Sequence, residues 1–180
     1  MREQMPLQIA WTRRANRLPP EVRERLAAML ERLHPYFPEM NTSMKIGITR
    51  FFDGLVHQSD KGRVKLMVDV HRTRKHGWKY PTYWTLAHEM MHLAQFNTPQ
   101  IPSGERACDV YALSRLPPEL IDDSPSYLVV PDEFRARWDT KSAALAHRLA
   151  LEAISQRKRG VKRYAVWWED EFERATDGSK

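Results

Sequence analysis

The sequence predicts an α+β domain in which helices accompany a small sheet. Residues 44–48 and 64–71 alternate between apolar and polar side chains, which is typical of strands with one face on a core. Residues 20–33, 82–96 and 140–157 instead repeat apolar residues at helical spacing. The two periods together predict helices around a small mixed or antiparallel sheet.

Length and composition favour one domain over residues 1–180. A chain of 180 residues with 42% hydrophobic content can bury a core of its own. Cys108 is the only cysteine, so the chain has no internal disulfide. No apolar run approaches the ~18 residues of a membrane span, and the first residues lack the apolar core of a signal peptide. We therefore expect a cytoplasmic protein without membrane contact; the oligomeric state has no signal in the sequence.

Positive charge is the second compositional feature. The formal net charge is +6, and two basic clusters, 72–76 and 157–163, hold much of the excess. Such clusters attract phosphate backbones or acidic proteins, although a basic cluster taken alone is more often a solvated face. Trp78 and Tyr80 lie close to the first cluster. Nucleic acid is therefore one predicted partner class beside a protein or peptide.

The N-terminal half predicts a helix followed by strands. Residues 7–17 fit a short strand or an extended arm, and the helix over 20–33 begins after Pro19 and ends near Pro35. We expect a bulge or a tight turn at Asp53-Gly54, a turn at 59–62, antiparallel pairing between the strands, and a linker over 73–80. If the strand over 64–71 lies at the sheet edge, an extended peptide can pair with it.

The segment from Thr82 to Phe96 carries the motif on which the functional prediction depends, His88-Glu89-Met90-Met91-His92. On a helix, histidines four residues apart lie on one face and can bind one metal ion, with Glu89 beside it. This is the HExxH pattern of zinc hydrolases. The alternative is that the two histidines and the glutamate lie on an ordinary solvent-exposed helix face and bind nothing.

A second helix is predicted from Gly104 to Arg115, with Ser103 as its N-cap. Glu105 and Asp109 are four residues apart on one face of this helix. Each also has an ordinary explanation, because acids favour the first turn of a helix and exposed helix carboxylates are common.

The pattern of His88, Glu89 and His92 followed by Glu105 and Asp109 resembles the gluzincins, a group of zinc peptidases that includes the small minigluzincins. The likeness is confined to about 30 residues, 82–111. It implies a zincin-like fold with an HExxH active-site helix and a second ligand helix. It also implies one zinc per chain, Glu105 as the third protein ligand and Asp109 as the carboxylate that orients His88.

The expected chemistry is metal-assisted hydrolysis of a peptide bond, with an endopeptidase favoured over an exopeptidase. Zinc with three protein ligands keeps a position for water, and Glu89 serves as general base. Tyr111 is a candidate donor to the oxyanion, with His71, His147 and Tyr164 as further candidates that spacing does not separate.

Two other functions stay open. The HExxH motif with basic charge also resembles the SprT-like proteases that act on DNA-protein crosslinks, but these use a third histidine, and none lies between His92 and His147. The chain could also be a catalytically silent zinc-binding regulatory protein, although a purely structural site has no need of Glu89.

The C-terminal portion, 139–180, is predicted to be helical. A short helix over 131–138 precedes a long one that starts at Asp139 or Thr140, and Gly160 ends that helix. Its predicted apolar side comprises Ala144, Leu145, Leu149 and Ile154. An amphipathic helix with an acidic tip follows, and we expect Trp167 and Trp168 to pack on the core rather than cover a groove or meet a partner.

Overall fold

The computed structural model describes residues 7–40, 43–50, 54–58 and 64–177, with the backbone alone at 54–58 and 64. This part of the chain is mixed α+β, as predicted. The chain divides into two compact units, Met1–Thr98 and Pro99–Lys180. One domain over the whole chain stays a prediction. The turns predicted at Asp53 and at 59–62 lie outside the described residues.

The first unit contains a four-stranded sheet in the order β1-β2-β4-β3. Its strands are β1 (Gln8–Trp11), β2 (Ser43–Thr49), β3 (Gly54–Gln58) and β4 (Val64–Asp69). β2 runs parallel to both β1 and β4, whereas β3 pairs antiparallel with β4. The mixed sheet is thus confirmed. The antiparallel pairing expected between 44–58 and 64–71 is confirmed for β3 with β4 and wrong for β2 with β4, which are parallel.

The position of β4 corrects a second expectation. β4 pairs with β2 on one side and with β3 on the other, so it is an inner strand. Its backbone groups are therefore used within the sheet, and β3 forms that edge instead. Alternation correctly predicted the buried face, since Met44, Ile46, Leu66 and Val68 are at most 2% exposed.

The segment predicted as a linker, 73–80, instead contains half of a small hairpin. Strand β5 (His71–Thr73) pairs antiparallel with β6 (Gly77–Lys79). The turn is closed by Thr73, whose hydroxyl accepts from the His76 backbone N–H and donates to the Gly77 carbonyl. Gly77 has φ +71°, a conformation in which glycine avoids the steric cost of a Cβ.

Two helices complete the first unit. α1 (Pro20–Leu33) starts with proline at its first position and buries Val22, Leu26, Leu30 and Leu33, as the apolar period predicted. α2 (Tyr83–Asn97) carries the HExxH motif and has Thr82 as its N-cap. Short 3₁₀ turns lie at Ala15–Arg17 and His34–Tyr36.

The second unit is helical in its described part. It consists of α3 (Glu105–Arg115), α4 (Asp132–Ala136), α5 (Thr140–Lys158) and α6 (Tyr164–Asp177). α5 packs against both α3 and α6. Asp139 is the N-cap of α5, because its carboxylate accepts from the Ser142 N–H, and this bond lowers the pKa of Asp139.

Two local predictions in this unit are wrong. The N-cap of α3 is Gly104, at φ +101°, rather than Ser103, because the chain enters the helix one residue later than predicted. The buried side of α5 is mainly alanine, at positions 143, 146, 150 and 153, together with Leu149. Of the predicted apolar side only Leu149 is buried, since small side chains allow close helix packing without a strong hydrophobic pattern.

Trp168 confirms the expectation of core packing. It is fully buried, stacks on Phe172 and donates its indole N–H to the Ala146 carbonyl. Gly160, at φ +98°, ends α5 as predicted. Among the described helices, none combines the length and hydropathy that a bilayer crossing requires.

Candidate metal centre

Helix α2 places the motif residues in a largely buried environment. The Thr82 hydroxyl accepts from the Thr85 N–H at 3.0 Å and so satisfies one of the amides at the start of the helix. Most of the helix is apolar, and nine of its residues are buried. His88 is 6% and Glu89 8% exposed, which argues against the solvent-exposed alternative.

His88 and His92 lie side by side on α2, as their spacing predicted. Their ring centroids are 4.8 Å apart, and the rings are nearly perpendicular at 85°. Trp84, one turn earlier, lies 6.3 Å from the ring of His88 between centroids. Two imidazoles this close on one helix can both bind the same metal ion, each through one ring nitrogen.

Gln95 is a site residue that the sequence did not reveal. Its Oε1 lies 3.0 Å from Nδ1 of His92. A carbonyl oxygen only accepts, so this contact is a hydrogen bond in the tautomer that carries its proton on Nδ1, which leaves the lone pair of the ring on Nε2. Metal-binding histidines are commonly held by such a partner. The only sequence signal is a polar side chain three residues after His92, which is too common to be diagnostic.

Glu89 lies between the two histidines in sequence and is buried. A carboxylate is rarely buried in an α-helix unless a charge, a hydrogen bond or a metal compensates the loss of hydration. The position therefore suits a general base, which requires a carboxylate in a sheltered site rather than on the surface.

On α3, the two predicted acids differ sharply in burial. Glu105 is exposed and occupies the first helical residue, a position that suits an acid because of the helix dipole. Asp109 is fully buried. Its Oδ2 accepts from the backbone N–H groups of Tyr127 and Leu128, at 2.8 and 3.1 Å. This carboxylate therefore fixes a loop of its own unit, and its predicted role toward His88 stays a prediction.

Cys108 is a further side chain whose chemistry suits zinc and that was not selected from the sequence, and it lies on α3. Cys108 is fully buried. The signal available in the sequence was a lone thiol on the same helix as Glu105, one residue before Asp109.

The predicted oxyanion donors occupy varied surroundings. Tyr111 is buried and its hydroxyl accepts from Nη1 of Arg157 at 3.1 Å. Nδ1 of His147 donates to the Leu113 carbonyl at 2.8 Å, and Nδ1 of His71 lies 2.8 Å from Oδ1 of Asp69. Burial, followed by the nearby Tyr111, raises the pKa of Tyr164. All four residues thus have contacts within their own unit.

The described fold and site define a mixed α+β protein with a candidate metal-binding group. Comparison with protein-family models, with curated proteins and with solved structures found no match.

Proposed function

We propose that this chain is a zinc metallopeptidase, acting as an endopeptidase on a protein or peptide substrate. The observation that carries the proposal is the buried HExxH set on α2, in which His88 and His92 stand 4.8 Å apart with Glu89 buried beside them. A sheltered carboxylate next to two neighbouring imidazoles is the set of side chains that metal-assisted hydrolysis requires.

The donor chemistry fits zinc. Neutral imidazole is a preferred zinc ligand, and the proton on Nδ1 of His92 directs coordination to Nε2. The gluzincin resemblance assigns the third position to Glu105, with Asp109 as the orienting carboxylate. Cys108, which is also on α3, is a competing third donor, because thiolate binds zinc at least as well as carboxylate does.

The chain's own residues account for the proton transfers in the proposed reaction. When bound, zinc would polarise the substrate carbonyl and lower the pKa of water. Glu89 accepts a proton from that water through a carboxylate oxygen and then donates it to the departing amine. The water oxygen first adds to the carbonyl carbon and leaves an oxyanion on the substrate; the C–N bond then breaks as the amine departs with the proton, so no acyl-enzyme is needed. Tyr111 is the candidate donor to the oxyanion.

The experiment compares wild type with Glu89→Gln, which keeps the size of the side chain and removes the base. With unfolded casein as the probe, we expect wild type to cleave and the variant to lose at least about 100-fold in rate, the lower range for general-base catalysis. Zinc content, measured by elemental analysis, should be equal in the two proteins.

Cleavage by Glu89→Gln at the wild-type rate would overturn the proposed mechanism. If wild type binds zinc but cleaves no unfolded protein, even after limited proteolysis of α6, the metallopeptidase proposal is wrong and the chain is a silent zinc-binding protein. A matched variant, Glu31→Gln on the exposed side of α1, controls for the loss of one carboxylate.

A further inference from the structure

A cavity in the second unit is lined by residues that the proposed reaction does not use. Its volume is about 540 Å³, which is within the range of small-ligand sites. It lies at the turn between α5 and α6, and its walls are Pro102, Arg157, Gly160, Val161, Lys162 and Tyr164. None of these residues is acidic and two are cationic, so the cavity suits an anionic or electron-rich ligand.

Arg157 is held in place at this cavity. Its Nη1 donates to the Tyr111 hydroxyl at 3.1 Å, and its guanidinium carbon lies 5.9 Å from the centroid of the Tyr164 ring. A guanidinium fixed by a hydrogen bond and an aromatic face loses little freedom when it binds a ligand. A tyrosine hydroxyl is uncharged at neutral pH, and burial raises the pKa of Tyr164 further, so this residue does not neutralise Arg157.

The rim of the cavity is also cationic. We call residues 157–163 the basic turn; it holds five cations and no acid in seven residues. Lys158, Arg159, Lys162 and Arg163 are exposed, and none forms an ion pair with another described residue. The turn is closed by backbone bonds from Gly160 N–H to the Arg157 carbonyl and from Val161 N–H to the Gln156 carbonyl.

We propose that the basic turn and its cavity bind single-stranded nucleic acid, with the cations on backbone phosphates and an unstacked base in the cavity. A single small anion would use one or two of the five cations, whereas a strand presents phosphates at repeated spacing. A duplex keeps its bases stacked, but a single strand can place one against the apolar wall of Val161 and Pro102.

The test is a fluorescence-anisotropy titration of the full chain with a labelled DNA oligonucleotide of mixed sequence. If five phosphates are neutralised, log K falls with log salt at a slope of about −3.5, so affinity drops about 100-fold from ~50 to ~200 mM salt. A duplex of the same sequence should bind more weakly. Duplex binding that is as tight as single-strand binding would overturn the proposal.

Matched charge variants test the place of binding. Arg159→Gln with Lys162→Gln should weaken binding at least tenfold and reduce the salt slope by about 1.4. Arg72→Gln with Lys75→Gln removes the same charge from exposed residues of the other basic cluster and should leave affinity within about twofold. If both double variants lose the same affinity, the effect comes from net charge alone, and the assignment of binding to the basic turn is overturned. Thermal unfolding checks that each variant folds.

Two competitors test the ligand. An abasic strand of equal length carries the same phosphates, so it should keep the salt slope but bind at least about tenfold more weakly. If the abasic strand binds as tightly as the strand that carries bases, the claim that a base occupies the cavity is wrong. Polyglutamate should compete poorly, and competition equal to that of unlabelled DNA would overturn the choice of nucleic acid. Binding should be unchanged by a chelator and by Glu89→Gln, so this proposal and the proposed peptidase fail independently.

Discussion

At the scale of single residues, Gln95 gives the most direct link between structure and metal affinity. Its Oε1 lies 3.0 Å from Nδ1 of His92, a contact that favours the tautomer in which Nε2 is left to bind a metal. Loss of a hydrogen-bonding partner to a metal ligand typically costs 10–100-fold in affinity.

We expect Gln95→Ala to weaken zinc binding by about 10–100-fold while α2 stays folded. Competition with a chromogenic chelator measures the affinity, and circular dichroism measures the helix. Gln95→Glu, which keeps an acceptor three residues after His92, should restore most of the affinity. An unchanged affinity in Gln95→Ala would show that this hydrogen bond does not support the metal.

A second residue-scale prediction concerns His34, at the end of α1. His34 is 5% exposed, and burial lowers its pKa from the ordinary value of 6.5. The unfolded chain therefore binds a proton at a higher pH than the folded chain, so His34 costs stability as the pH falls below about 6.5. Above that pH it has no such effect.

Urea unfolding of wild type and His34→Gln across pH 5 to 8 measures this effect, because groups shared by both proteins cancel in the difference. We expect the stability of wild type relative to the variant to be constant above pH 7 and to fall as the pH decreases below 6.5. A difference independent of pH would contradict the assignment to His34.

At the scale of elements, α2 depends on its N-cap. The Thr82 hydroxyl accepts from the Thr85 N–H, and no acidic side chain in the first turn assists it. Thr82→Ala should therefore lower the free energy of unfolding by about 1 kcal/mol. Thr82→Ser keeps the acceptor and should lose much less. Chemical unfolding in a chelator, which removes any contribution of bound metal, is the measurement; equal stability of all three proteins would refute the cap.

The sequence pattern predicted some helices and strands better than others. α1, α2 and α6 were predictable because large apolar side chains repeat at helical spacing, and Pro20, Thr82 and Gly160 mark helix boundaries. The buried face of α5 was not, because alanine carries little hydrophobic signal. Parallel pairing of β2 with β4 was also missed, since alternation defines a face and contains no information on neighbours or direction.

Within the site, the sequence predicted the residues whose spacing is itself diagnostic. His88, Glu89 and His92 are four residues or fewer apart on one helix, so local geometry decides their arrangement. Contributions from α3 depend on tertiary packing, which spacing does not encode. Spacing therefore could not select Cys108 as a candidate ligand, and the roles of Glu105, Asp109 and Tyr111 remain predictions.

At the scale of the whole molecule, two chemistries are assigned to different parts of one basic chain. The proposed hydrolytic set has its base and two histidines in the first unit, while the proposed nucleic-acid site lies within the second. A net charge of +6 favours association with polyanions in general, so only position-specific variants separate a site from bulk charge. Together the two proposals describe a peptidase that also binds nucleic acid.

The most direct test is a crystal structure of zinc-loaded protein with anomalous data at the zinc edge, supported by elemental analysis. We predict one zinc per chain, about 2.0–2.1 Å from Nε2 of both His88 and His92, with a third donor from α3. Glu105 in that position would support the gluzincin assignment, and Cys108 would replace it with a His₂Cys site. A chain that takes up no divalent ion, or a zinc bound away from both histidines, would contradict the account.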